Sequence, residues 1–303
     1  MGNNAEYHAA STASHPMDKI DVRQLRFSFD DVSEHNPVWS RSCPEFSMFI
    51  NALGVHVPYF ERFLVKVMRE YRDGIEDEKL QEDIKNIIGQ EAHHAFNFVK
   101  WNQYLGERYP EVNHLDAESQ DYFAAALKKS DKYKVGFTAG YETFTFLAGL
   151  IILDRYHELM EDADPVLRAL WVWHQVEEVE HGAVAFEFYQ ALYGEHEWYR
   201  KALVVRAFGH IAWETFKAYR TMLPVEGYNK SLKSRVKAWR FFGGFAFDLA
   251  WSALPVLRKG YHPRNHPICT TEQNQIAIAW RDYHNSGGNT EFLPDDVMAQ
   301  LAG

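Results

Sequence analysis

Two stretches of the chain carry a glutamate followed three residues later by a histidine. The first lies in Gln90-Glu91-Ala92-His93-His94, the second in Trp173-His174-Gln175-Val176-Glu177-Glu178-Val179-Glu180-His181. On a helix, residues three apart stand one turn apart on one face, so a carboxylate and an imidazole at this spacing can grip one metal ion. Glu91 and His94 share a face with Leu80, Ile84, Ile87, Ile88, Ala95, Phe98 and Trp101. Glu178 and His181 share one with Leu167, Leu170, Trp171, Ala185 and Phe188. Strongly polar groups on an apolar face cost several kcal/mol each unless paired or metal-bound. One such pair is expected often by chance; two on apolar faces ask for a ligand.

A lone glutamate in apolar surroundings precedes each pair. Glu61 sits in Tyr59-Phe60-Glu61-Arg62-Phe63-Leu64, and Glu142 in Gly140-Tyr141-Glu142-Thr143-Phe144. The intervals Glu61 to Glu91 and Glu142 to Glu178 both suit an antiparallel helix hairpin whose carboxylates meet at one level. The expected metal ligands are therefore Glu61, Glu91, His94, Glu142, Glu178 and His181. Their oxygen and imidazole donors, with no thiolate, suit iron first and manganese or zinc as alternatives. Two ions are expected. His93 points about 100° from His94 and is expected outside the site. His174 and Glu177 share a sector with Glu178, as ligands or as groups that orient ligands. His210 and Glu214 read as an ordinary helix pair, and Tyr141 as a packing residue able to donate a hydrogen bond.

The elements that must position these groups read as helices over 44–55, 57–73, 77–107, 117–128, 132–162, 165–193, 197–221, 229–257 and 271–285. Asp164 and Pro165 form a helix start. No convincing strand pair follows residue 44. The expected fold is all-α. A glutamate helix followed by a Glu-x-x-His helix, twice over, is the pattern of di-iron and di-manganese ferritin-like bundles, here with additional C-terminal helices. The expected organisation is a polar, partly disordered leader and arm over 1–43, a helical domain over 44–285 and a tail over 286–303. Within the arm, Val22, Leu25, Phe27 and Phe29 suggest an extended strip laid over the domain.

The 303 residues, 46% of them hydrophobic and 15% aromatic, can bury a sizeable core. The net charge of −10 argues against a nucleic-acid partner. Two cysteines, Cys43 and Cys269, make neither a disulfide framework nor a thiolate site, and a reducing, cytoplasmic setting is expected. The opening MGNNAEYHAASTASHP has no charged start with an apolar run, so no secretory signal is expected. The stretch 241–257 is strongly apolar and follows Lys230, Lys233, Arg235, Lys237 and Arg240. A buried bundle helix is the simpler reading; peripheral membrane contact through 230–257 is the alternative. A homodimer is expected.

The segments Val57-Pro58-Tyr59-Phe60-Glu61-Arg62-Phe63, Gln90–His94, Trp173–His181 and Gly260-Tyr261-His262-Pro263 resemble the bacterial family named "predicted metal-dependent hydrolase". The resemblance covers most of the chain and implies a ferritin-like fold and metal-dependent hydrolysis. Where the family motif has Gly before the first Glu, this chain has Phe60, which narrows the space beside that ligand. The donor set itself points to an oxidase or oxygenase acting on a small apolar substrate, with an electron donor as partner. Ala148 and Gly149, near Glu142, would leave room for a substrate channel. Two further readings stand beside it: a hydrolase using metal-activated water, and a non-catalytic metal-binding helical protein.

Overall fold

The computed structural model describes residues 15–30 and 36–301. The expected disordered leader falls almost wholly outside them. Among the described residues, twelve α-helices run in chain order: α1 Pro44–Gly54, α2 Val57–Tyr71, α3 Glu78–Arg108, α4 Pro110–Ala126, α5 Asp131–Asp154, α6 Tyr156–Leu159, α7 Pro165–Glu180, α8 Val184–Tyr193, α9 Glu197–Val225, α10 Leu232–Ser252, α11 Gln275–Asn285 and α12 Asp295–Leu301. No strand occurs among the described residues, and one isolated bridge joins Ser40 to Ala163. The fold is all-α.

Local chemistry sets the helix starts. Asp77 caps α3 by accepting from the Leu80 amide, and Asp164 caps α7 by accepting from Val166 and Leu167. Prolines stand in the first turns of α1, α2, α4 and α7, where the missing N–H costs nothing. Several boundaries depart from the sequence reading. The helix expected over 117–128 begins at Pro110 instead, because that proline starts a helix and Val112, Leu115 and Phe123 give it a buried face. The one expected over 132–162 stops at Asp154. Arg155 leaves helical geometry, with its guanidinium bonded to Glu158 and Asp248.

The helix expected over 165–193 is two, broken at 181–183. Gly182 lies in the break and lets the Phe146 ring approach: a Cβ there would stand 2.4 Å from it. The helix expected over 229–257 ends at Ser252, followed by a 3-10 turn at Leu254–Leu257. The segment after 285 holds α12, whose Met298 is buried.

The core is built around α2, α3, α5 and the α7–α8 pair. α2 packs along α3 and touches α5, while α5 packs along α7, α8 and α9. α5 is also the one described helix long and apolar enough to cross a membrane, but most of it is buried among its neighbours, as a core helix would be. The expectation that 229–257 forms a buried bundle helix needs correction. Only Ala238, Phe245 and Leu249 of α10 are buried, while Leu232, Val236, Phe247 and Trp251 are exposed, because α10 packs at the edge of the fold on one side only. Both cysteines are buried and unpaired.

The arm lies across α3 in extended form. Arg23, Leu25, Phe27 and Phe29 face inward and alternate with exposed neighbours, whereas Val22 is exposed. The inward register therefore starts one residue later than the apolar pattern implied, and it carries an arginine. Side chains of α3 dock the arm: Asn97 donates to the Leu25 carbonyl and accepts from the Phe27 amide, and Gln90 donates to the Asp21 carbonyl.

Candidate metal centre

Glu91 and His94 lie on the buried stripe of α3 that runs from Leu80 through Ile84, Ile87 and Ile88 to Phe98 and Trp101. His93, one step round, is half-buried on the flank. Glu61 comes from the buried side of α2 and Glu142 from α5. α7 is different. Every residue from Leu167 to Glu180 is buried, so the helix has no solvent face and its phase cannot single out one polar residue. His181 is the residue at which α7 ends, not a mid-helix position as the sequence suggested.

The structure brings all six expected residues together, each no more than 2% exposed. His181 reaches Glu142 Oε2 at 3.0 Å through Nδ1 and Glu91 Oε1 at 3.1 Å through Nε2, with Glu178 Oε2 at 3.8 Å. His94 Nδ1 lies 3.7 Å from Glu178 Oε1, 3.8 Å from Glu91 Oε2 and 4.0 Å from Glu61 Oε1. His174 joins them, with Nε2 at 3.1 Å from Glu178 Oε1 and 3.3 Å from Glu61 Oε1. Two quartets have donor atoms within 4.8 Å of one another: Glu61, His94, His174 and Glu178, and Glu91, His94, Glu178 and His181. Glu142 stands outside both, against His181.

These groups fit a metal better than they fit each other. Glu61 Oε2, both Glu91 oxygens, Glu142 Oε2, Glu178 Oε2, His94 Nδ1 and both His181 nitrogens are buried, and none makes a properly directed hydrogen bond. Orphaned buried polar atoms are rare in folded proteins, and a cluster of them, all metal-donor types, is what a cation would satisfy.

Without a cation, protons must hold the carboxylates together. Burial pushes Glu61 up to about 7 and Glu142 up to about 8, only partly offset by His174 and His181 respectively. Burial also opposes charge on Glu91, but His181 and His94 outweigh it and hold that carboxyl below its usual range. Glu178 is likewise lowered, His181 and His174 outweighing its desolvation. Desolvation opposes charge on the histidines too. The surrounding carboxylates overcome it and raise His94, His174 and His181.

An outer layer fixes the inner one. His94 Nε2 meets Glu177 Oε2 at 2.9 Å, and Arg23 Nη1 donates to Glu177 Oε1 at 3.0 Å. Arg23 also forks onto both oxygens of Glu180, at 2.8 and 2.9 Å, and Gln90 donates to Glu180 at 3.1 Å. Glu177 is thus an orienter of His94. Gln175 holds His174 through Nδ1 at 3.0 Å. Nothing in the periodicity of the arm marked Arg23; the only available signal was a charge amid an apolar alternation.

Tyr141 stacks on Phe60 with ring centroids 4.2 Å apart, and its hydroxyl is bonded to His210 Nδ1. His210 also faces Glu214 at 3.9 Å and belongs to neither quartet. A narrow, mainly apolar cavity reaches the cluster at His174, lined further by Val57, Tyr141, Phe144, Ala148 and Leu249. Gly149 does not line it, contrary to the expected role in a channel. A Cβ there would stand 3.0 Å from the Gln175 carbonyl, so this glycine lets α5 and α7 approach closely.

A family model described as "Predicted metal-dependent hydrolase" matches residues 21–267, a span holding the arm, both quartets and the cavity. No curated protein and no solved structure matches.

Proposed function

The chain belongs to the predicted metal-dependent hydrolase family, and on that premise we propose that it hydrolyses an apolar acyl ester or amide at the buried Glu/His cluster. The family corrects the expectation of an oxygen-activating oxidoreductase. The donor set resembles that of oxygen-activating enzymes, but donor types alone do not choose between redox and hydrolytic chemistry, since the same oxygens and imidazoles hold a cation for either.

The observation that carries the reading is the pair of quartets with their orphaned polar atoms. His94 and Glu178 belong to both. His94 has one nitrogen to offer, because the other is taken by Glu177. It can complete one quartet only, whereas Glu178 turns Oε1 toward His174 and Oε2 toward His181 and can serve both. Two ions would then be held, one by Glu61, His174 and Glu178, the other by Glu91, His181 and Glu178, with His94 completing one of them. Iron, manganese and zinc all suit these donors. A bound cation would supply an acidified water and polarise the substrate carbonyl. Glu142, buried against His181 and outside both quartets, is the carboxylate placed to take up and return a proton. The repeat of glutamate helix and Glu-x-x-His helix supports a ferritin-like arrangement of the four core elements.

The test is an anaerobic panel of p-nitrophenyl esters and anilides of increasing acyl length, with protein loaded with zinc, manganese or iron(II). Hydrolysis that appears with metal, vanishes with chelator and needs neither oxygen nor a reductant is the expected result. An inactive panel with every metal would contradict it.

A further inference from the structure

At the edge of the fold, α10 turns a continuous apolar stripe to solvent. Its Leu232, Val236, Phe247 and Trp251 are 75, 56, 62 and 65% exposed. At about 100° per residue these four fall within one sector roughly 100° wide, with Arg240 and Gly243 between them. The Phe247 and Trp251 rings stack with centroids 6.0 Å apart, and Leu254 and Leu257 of the following 3-10 turn are exposed as well. Ala238, Phe245 and Leu249 anchor the opposite side of the helix in the core, so the stripe has no packing partner within the fold. Single apolar residues scattered over a surface need no explanation, but a stripe running the length of a helix marks a contact.

Positive charge surrounds this stripe. Lys233 and Lys237 flank it on one side and Arg235 on the other, while Arg258 and Lys259 follow its end, and all five are exposed. Between residues 230 and 259 seven Lys and Arg stand against one acidic residue, Asp248, in a chain whose net charge is −10. Asp248 is itself paired with Arg155, and of the seven only Lys237 has an ion-pair partner, Glu45, among the described residues. We infer that α10 is an interfacial helix that lies along an anionic lipid bilayer, its Phe247 and Trp251 rings at the acyl boundary and its basic side chains on the headgroup phosphates. An amphipathic helix with aromatic and aliphatic residues on one face and Lys and Arg at its margins binds in this way. The long stem of Arg240 lets its guanidinium rise from the stripe to the phosphate level. A second copy of the chain is the other occupant to weigh. Both ends of the stripe are basic, so a copy laid against it in either direction brings like charges together, whereas lipid phosphates oppose them.

The test is co-sedimentation of the full-length protein with vesicles of phosphatidylcholine alone and of equal parts phosphatidylcholine and phosphatidylglycerol, beside sedimentation velocity of the protein without lipid. Binding to the anionic vesicles is expected, about tenfold or more weaker on the neutral ones and weakened by added salt. Phe247→Ala combined with Trp251→Ala, and separately Lys233→Glu combined with Arg235→Glu, should each lower binding to the anionic vesicles by about tenfold or more. All four side chains are exposed, so helix content by circular dichroism should not change in either variant. No binding of the wild type to anionic vesicles, or binding that neither double variant alters, overturns the inference. A dimer in solution that the Phe247 and Trp251 substitutions break, with vesicles left unbound, makes the stripe an interface between copies and overturns it too.

Discussion

His94 Nε2 and Glu177 Oε2 stand 2.9 Å apart in a region closed to solvent, and that contact turns the other ring nitrogen toward Glu61, Glu91 and Glu178. A carboxylate behind a metal-facing imidazole fixes its tautomer and raises its basicity. Glu177 is itself held by Arg23 from the arm. The orientation of a residue on α3 thus depends on α7 and on a segment some seventy residues earlier in the chain.

Glu177→Ala should therefore weaken metal binding by about 10–100-fold while leaving every inner ligand in place. Metal competition with a chromophoric chelator measures it. Unchanged affinity would show that His94 needs no support from this side.

Removing one carboxylate from each Glu-x-x-His pair should empty the site. Glu91→Ala combined with Glu178→Ala leaves His94 and His181 without the oxygens they share, and bound metal should fall below about one ion per chain. Elemental analysis after desalting reads this directly; retention of two ions would refute the assignment of both glutamates.

His93 and His94 separate ligand from neighbour. His94→Ala should lower metal occupancy sharply, and His93→Ala far less, because only His94 faces the carboxylates. The reverse order would mean that α3 is rotated by one residue.

These residues show how far the sequence could be read. Glu91 and His94 were legible because α3 has one buried stripe and they lie on it. α7 offered no such contrast, being buried all round, so His174 and Glu177 could not be ranked against Glu178 from periodicity. The need for glycine at 182, inside the break, was hidden as well, since the Phe146 ring that leaves no room for a Cβ comes from another helix. Arg23 was missed because an inward arginine is stable only when two carboxylates distant in sequence wait for it.

The stability of the metal-free protein should fall as pH rises from about 5 to 8. Glu61 and Glu142 keep protons in the folded chain, up to about 7 and 8, that the unfolded chain has released above its ordinary value near 4.5. The raised histidines act in the same direction, their contribution complete below 6.5 and lost as pH climbs through their folded values. Glu91 and Glu178, held low, matter only in more acidic solution. Loaded protein is spared this loss, because the cation replaces the protons. At a hundredfold excess over the dissociation constant it adds about 2.7 kcal/mol. Melting curves with and without chelator should be separated by about 5 °C at pH 7 and converge toward pH 5. A gap that does not change with pH would contradict the shared-proton picture.

The most direct measurement is anomalous diffraction from crystals of zinc-loaded protein, collected on both sides of the zinc edge. The account predicts one or two strong peaks enclosed by Glu61, Glu91, His94, His174, Glu178 and His181, about 2.0–2.2 Å from histidine nitrogens and carboxylate oxygens, with Glu177 still behind His94. Stoichiometric zinc located anywhere else, with this cluster lacking a peak, would contradict it.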